Sequence, residues 1–190
     1  MKPTENTKTF ISYGRIFLLL IMSSLTITSC FSVKPSSTKS AKNYFESFFV
    51  GDEGTQYFLK PLEFNSKGSK GELNIDFTFR YKNQVKDSVI VNYSITGENM
   101  IKALNEAYFQ NSNASFHLNN IELLFNEKKD DKFMSRFTSK CSMADLIQLF
   151  QDENITMTLT DENNQSYIFS PSKSTKKAIK SINDNLFVIF

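Results

Sequence analysis

Reactive side chains are scarce in this chain of 190 residues, and that scarcity limits the chemistry open to it. His117 is the only histidine, which excludes triads, relays and metal sites built from two or more imidazoles. It sits in an alternating run on the face opposite Phe116 and Leu118, where a solvated strand residue is expected rather than a catalytic base. Carboxylates occur in pairs at Asp52-Glu53, Asp130-Asp131, Asp152-Glu153 and Asp161-Glu162. Such pairs do acid–base work only where burial or coupling sets their pKa values apart. All four fall in predicted turns, so solvated loop tips are expected. "DENNQS" spaces oxygen donors at Asp161, Asn163 and Gln165 as a calcium loop begins. It lacks the glycine at the sixth position and the closing glutamate, and reads as a hairpin turn. "GDEGT" and "GSKG" have neither the spacing nor the Lys-Ser/Thr ending of a phosphate cradle. These residues predict no catalytic group, no metal and no cofactor.

The two cysteines differ in setting. Cys141 precedes a predicted helix, where a thiol pKa can be lowered, but a small buried hydrophobe is the expected role. Cys30 closes the run "IFLLLIMSSLTITSC". That run is too short for a permanent span, which takes roughly 20 apolar residues. Lys2, Lys8 and Arg15 precede it and small residues follow, the arrangement of an export signal. Its last four residues, Ile27-Thr28-Ser29-Cys30, resemble the lipobox of bacterial lipoproteins. The resemblance covers about the first 30 residues. It implies that Ile27, Thr28 and Ser29 form the recognition site of a signal peptidase. It also implies that Cys30 carries a diacylglycerol and becomes the acylated first residue of the mature chain. One acyl chain holds a protein only marginally, whereas two or three hold it stably. Under the sorting rule of some such families, Phe31-Ser32 after the cysteine favours the outer membrane.

The organisation expected is a signal peptide over 1–29, a lipidated cysteine and tether over 30–39, and a single globular domain over 40–190. "FSVKPSSTK" is small, polar and proline-bearing, and nine such residues reach up to roughly 30 Å. The signal takes with it three basic residues and Glu5, leaving 19 basic and 19 acidic residues in the mature part. A neutral body argues against nucleic acid as a partner. With Cys30 lipidated, Cys141 has no disulfide partner within the chain, so the body folds without one.

The elements that would position these residues read as an α+β fold. It is expected to be a largely antiparallel sheet built from hairpins, with about seven strands and about three or four helices. The clearest signal is "GELNIDFTFRYK", where Leu73, Ile75, Phe77, Phe79 and Tyr81 alternate with polar residues. "DSVIVNYSIT" repeats the alternation across the short "NQVKD", so the two predict a hairpin. "TQYFLKPLEF" reads as a strand with Pro61 at an edge or bend. "ASFHLNNIELLFN" reads as a strand whose alternation slips at Asn119-Asn120, paired with "KFMSRFTSK". "ITMTLT" and "SYIFS" predict a further hairpin. Helices are expected over "SAKNYFESFF", "ENMIKALNEAYF", "MADLIQLFQ" with a Ser142/Asp145 capping box, and "STKKAIKSIND".

Lys173, Lys176, Lys177 and Lys180 cluster on the last helix; a solvated face is the expected role and anionic lipid the alternative. Asn92, Asn113, Asn154 and Asn164 begin N-x-Ser/Thr triplets that matter only in a eukaryotic secretory setting. Together these features predict a lipid-anchored envelope protein. Its body binds or scaffolds, with another envelope protein, a polymer or a small ligand as partner. The rivals are an envelope enzyme with a carboxylate site and an inhibitor or immunity-type lipoprotein.

Overall fold

The computed structural model describes residues 44–67, 71–82, 85–86 and 88–190. The signal and tether, with Ile27, Thr28, Ser29 and Cys30, lie outside the described residues. Strand β1 (Phe45–Phe49) leads through a 3-10 turn at Gly51–Glu53 into β2 (Thr55–Ser66). There follow β3 (Glu72–Lys82), β4 (Val85–Lys86), β5 (Val89–Gly97), β6 (Leu104–Gln110), β7 (Ser115–Leu118), β8 (Glu122–Lys129) and β9 (Lys132–Cys141). Helix α1 (Met143–Leu149), β10 (Thr156–Asp161), β11 (Ser166–Pro171), helix α2 (Lys173–Asn185) and a 3-10 turn at Phe187–Ile189 complete the fold.

All pairings are antiparallel, in the order β7-β6-β10-β11-β2-β3-β5-β9-β8, with β1 added to β2 and β4 to β3. The sheet curls into a half-barrel far enough for β7 to touch β9. Alternation decides which side each residue takes. Leu73, Ile75, Phe77 and Phe79 of β3 face the trough with Val89, Val91, Tyr93 and Ile95 of β5, all buried. Both helices fill that trough. Leu146 and Leu149 of α1 and Ile179 and Ile182 of α2 are fully buried. Phe150 packs edge-on against Phe77 at 5.6 Å and against Phe187 at 5.2 Å. The half-barrel is therefore a packed core, and the convex face of β2, β3, β5 and β9 carries the other half of each strand.

Two breaks shape the sheet. Between Leu59 and Leu62 the β2–β3 register shifts by one residue, and Pro61 occupies the bulge, where no ladder donor is required. At this point β2 changes its outer neighbour. Residues 55–59 pair with β1, and residues 64–66 pair with β11. Lys60 N–H donates to Tyr44 O at 2.9 Å on one side of the break; Ser172 N–H donates to Glu63 O at 3.1 Å on the other. The incoming chain and the start of α2 thus meet at one seam.

The expected α+β class is overturned, because the described residues hold two helices and nine strands in the main path. "SAKNYFESFF" and "ENMIKALNEAYF" are not helices. The first contains β1, where Phe45 is buried opposite Leu59 and Phe48 points outward opposite Gln56. Aromatic side chains gain more from cross-strand neighbours than from an isolated short helix. The second contains β6. A register shift between the Asp161–Leu104 and Thr160–Glu106 pairs leaves Leu104 buried out of step with Ala107 and Phe109. A bulge in a strand had the spacing of a helix. The run "ASFHLNNIELLFN" is two strands, since Asn120 takes a left-handed φ of 56° and turns the chain from β6's neighbour to β9's.

Some local expectations match the elements seen. Pro61 lies at a bend, and the β3–β5 and β10–β11 hairpins form. Helix α1 is capped by Ser142, whose Oγ accepts from Asp145 N–H at 3.0 Å and donates to Asp145 Oδ2 at 2.6 Å. Helix α2 is capped by Ser172 and tied to β2 by the buried Thr175, which donates to Glu63 O at 2.6 Å.

Candidate functional site

The reactive residues are dispersed and mostly committed to local structure. Cys141 is buried, and burial together with the nearby Asp145 carboxylate pushes its thiol up to about 12, an inert thiol rather than a nucleophile. His117 is exposed on β7, with Nδ1 2.5 Å from Glu106 Oε1 and its ring 4.4 Å from Tyr108. Asp161 is buried, and Oδ1 accepts from the backbone of Asn163 and Gln165 at 2.9 Å each. Its Oδ2 accepts from the Tyr167 hydroxyl at 3.1 Å. The loop is the expected hairpin turn. Asp152 is held below the usual carboxylate range by the Ser112 hydroxyl at 2.6 Å and by Asn154 N–H at 2.8 Å. Glu162 accepts from Ala103 N–H, Glu53 pairs with Arg80, and Asp130 has a left-handed φ in the β8–β9 turn. No group of three His, Cys, Asp or Glu among the described residues is arranged to hold a metal ion. Between the end of β5 and the β10–β11 hairpin lies a cavity of about 150 Å³ lined by Ile95, Ile101, Tyr167 and Phe169. That is below the roughly 300–1,000 Å³ of ordinary ligand pockets.

The convex face offers a different arrangement, and its two ends contrast. Toward the middle of β3, β5 and β9, the outward residues pair with one another. Arg136 Nη2 donates to Asp76 Oδ2 at 2.7 Å, and its Nη1 to Ser94 Oγ at 2.5 Å; Asn92 Nδ2 donates to Asp76 Oδ1 at 2.7 Å. The side chains of Asp76 and Arg136 are 17% and 26% exposed. Three strands are clamped by a half-buried ion pair whose hydrogen-bonding capacity is largely used within the face.

Toward the β1–β2 hairpin the same face turns apolar. Register places Glu46, Phe58, Thr78 and Ile90 in one row across β1, β2, β3 and β5, and Phe48, Gln56 and Arg80 in the next. Phe48 and Phe58 meet edge-to-face at 5.7 Å and remain 38% and 41% exposed. Phe49, 69% exposed, pairs with Thr55 and so takes the opposite face at the hairpin end, with Val50 exposed beside it. Phe49 borders an open hollow of about 700 Å³ lined by Asp52, Gly54, Thr55, Tyr81 and Lys82. The rim is polar and ordered. Glu46 pairs with Lys60 at 3.6 Å; Arg80 bonds Glu53 and donates to Gln56 Oε1 at 3.1 Å, while Gln56 donates to Phe79 O at 2.9 Å.

Glycine makes this hairpin possible. Gly54 has φ of 87°, and a Cβ there would lie 2.2 Å from Tyr81 O. Its carbonyl accepts from Val50 N–H at 2.8 Å. The close approach to β3 fixes the tip and sets Phe49 at the edge of the hollow. Sequence reasoning missed this surface by reading Phe48 and Phe49 as one face of a helix. A turn at Asp52-Glu53 is expected from the sequence, but not that it joins two strands rather than following a helix.

A second group of exposed apolar residues, Leu123, Leu124 and Phe125, lies on the edge strand β8. A register shift between Leu123 and Phe125 sets Leu123 opposite the inward Phe137 and Phe125 opposite the outward Arg136. The three do not form one face, and a bulged edge flanked by Glu122, Glu127 and Lys128 is of the kind that discourages strand addition.

The chain matches no protein-family pattern, no curated protein and no solved structure.

Proposed function

We propose that this chain is a lipid-anchored bacterial envelope protein whose body is a binding module for another envelope protein. Cys30 carries the lipid, and the signal over 1–29 is removed. The single observation that carries the binding role is the aromatic end of the convex face: Phe48 and Phe58 exposed together inside an ordered polar rim, with Phe49 and Val50 exposed at the hairpin tip beside them. Aromatic anchors within a polar border are the anatomy of a protein interface. The carboxylates with distinctive surroundings, Asp152 and Asp161, are spent on turn hydrogen bonds, which weighs against a carboxylate enzyme. The neutral charge of the mature part does not favour a polyanion.

The anchor is tested by mass spectrometry of the mature N-terminal peptide: an acylated Cys30 is expected, and a bare cysteine would contradict it. The binding role is tested by cross-linking in the native envelope with wild type and with a Phe48→Ser, Phe58→Ser variant. A defined adduct that disappears in the variant, while the anchor and fold persist, is expected. The same adduct in both would refute the assignment of the surface.

A further inference from the structure

We infer that the outward stripe of α2, with Lys173, Lys177 and Lys180, is the surface on which the body rests against an anionic lipid layer. The inference depends on the lipid anchor for its setting, but its evidence is separate.

Helical spacing separates the two sides of α2. Thr175, Ala178, Ile179 and Ile182 are buried against the trough, while Lys173, Lys177 and Lys180, at i, i+4 and i+7, are exposed on the opposite side. Asp184 is the one acidic residue on that stripe and comes a turn after the last lysine. Lys176 is the member of the basic cluster that is not free, since its Nζ donates to Asn154 Oδ1 at 2.6 Å. Three cations on one face, without a facing carboxylate until the final turn, complement a negatively charged plane.

Position supplies the second argument. Tyr44, where the described chain begins, is bonded to Lys60, and the start of α2 is bonded to Glu63. Three residues of β2 separate these points, about 10 Å along a strand. A lipid on Cys30 therefore pulls on the body at the seam from which α2 departs. From that seam β1 and α2 run toward the same end: β1 carries Phe48 about 17 Å to the hairpin, and the residues after α2 bring Phe190 onto Tyr57 and Tyr81. The aromatic surface lies on the convex face, whereas α2 covers the trough. A body resting on α2 presents Phe48 and Phe58 on the opposite side of the sheet, free of the lipid.

Each lysine close to an anionic surface favours the docked state by a factor of about five, so three give about a hundredfold bias. Salt should remove it, because the charges are exposed.

The test uses the mature lipidated protein in phosphatidylcholine vesicles, with or without phosphatidylglycerol. A fluorophore is placed at Asp184→Cys on the α2 stripe or at Lys140→Cys on the convex face. Cys141 is buried and does not compete for label. With anionic lipid at low salt, an aqueous quencher should reach position 184 severalfold less than position 140. The difference should vanish in neutral vesicles, in high salt, and in a K173E/K177E/K180E variant. Equal quenching at both positions on anionic vesicles, or a difference that survives the three substitutions, would overturn the inference. Retention on the vesicles is read separately. Protein that washes off neutral vesicles but stays on anionic ones contradicts the anchor and supports the α2 surface. Protein that washes off both contradicts both.

Discussion

The two ends of the convex face share β3 and β5, yet one is closed and the other open. At the closed end, Asp76, Asn92, Ser94 and Arg136 satisfy each other across β3, β5 and β9. At the open end, the neighbouring rows present Phe48, Phe58 and Ile90 to solvent. A stretch that needed only stability could have been finished with polar pairs, as the closed end is. The difference teaches that exposure of the aromatics is not imposed by strand geometry, because the same alternation elsewhere supplies partners. The proposed binding role would account for it.

The largest effect tests the layer beneath both ends. Cys141 lies opposite Val89 under the open end, and Tyr93 lies under the closed end with its hydroxyl 2.5 Å from Ser139 Oγ. An unfolded thiol ionises near 9.0, whereas the folded Cys141 keeps its proton to about 12. Burial raises Tyr93 as well, with the Ser139 hydroxyl opposing only in part. Both groups contribute stability that is complete below pH 9 and lost as pH climbs toward and beyond 12. Denaturant titrations at stepped pH should show this fall. It should amount to several kcal/mol, because each tenfold change in an acid's ionisation constant on folding is worth about 1.4 kcal/mol. Cys141→Ala and Tyr93→Phe should each flatten it.

Breaking the closed end comes next. Asp76→Ala leaves the half-buried guanidinium of Arg136 without its counter-ion and should cost about 2–3 kcal/mol in urea denaturation. Replacing both members of the pair with apolar residues of similar volume should recover most of that loss. Recovery would show that the clamp confers matching rather than net stability.

Gly54→Ala attacks the open end through its backbone. A Cβ against Tyr81 O, at a left-handed φ, should cost about 1–3 kcal/mol and weaken the adduct from the Phe48–Phe58 surface. The smallest stability effect sharpens the contrast most. Phe58→Ser and Phe48→Ser should each cost about 1–2 kcal/mol, since the rings are only partly buried, below the roughly 3–5 kcal/mol typical of a core Phe. A large loss would mean that these rings serve the fold and not a partner.

Much of the inner layer was legible because its signal is local. The alternation from Leu73 to Phe79 and from Val89 to Ile95 specifies strand, face and hairpin without outside information. The cap at Ser142 is equally local. The α+β expectation failed at β1 and β6, where bulge geometry or clustered aromatics mimicked a helical period. Neither can be corrected without knowing that Phe45 pairs with Leu59 or Leu104 with Asp161. The open end was illegible for a related reason. It joins residues 48, 58 and 90 through registers set by three separate pairings, one of which shifts at Pro61. The resemblance to an export and lipidation signal, by contrast, lies in one contiguous run and needs no pairing to be read.

The contrast between the ends is tested most directly by a photo-reactive amino acid placed at Phe58 or, in a second strain, at Asn74 on the closed end. Both are wet-face positions on neighbouring strands of one sheet, so a nearby protein should distinguish them only if it docks. The account predicts one strong adduct of defined mass from position 58 in intact cells and none from position 74. Equal labelling from both positions, or labelling from 74 alone, would contradict it.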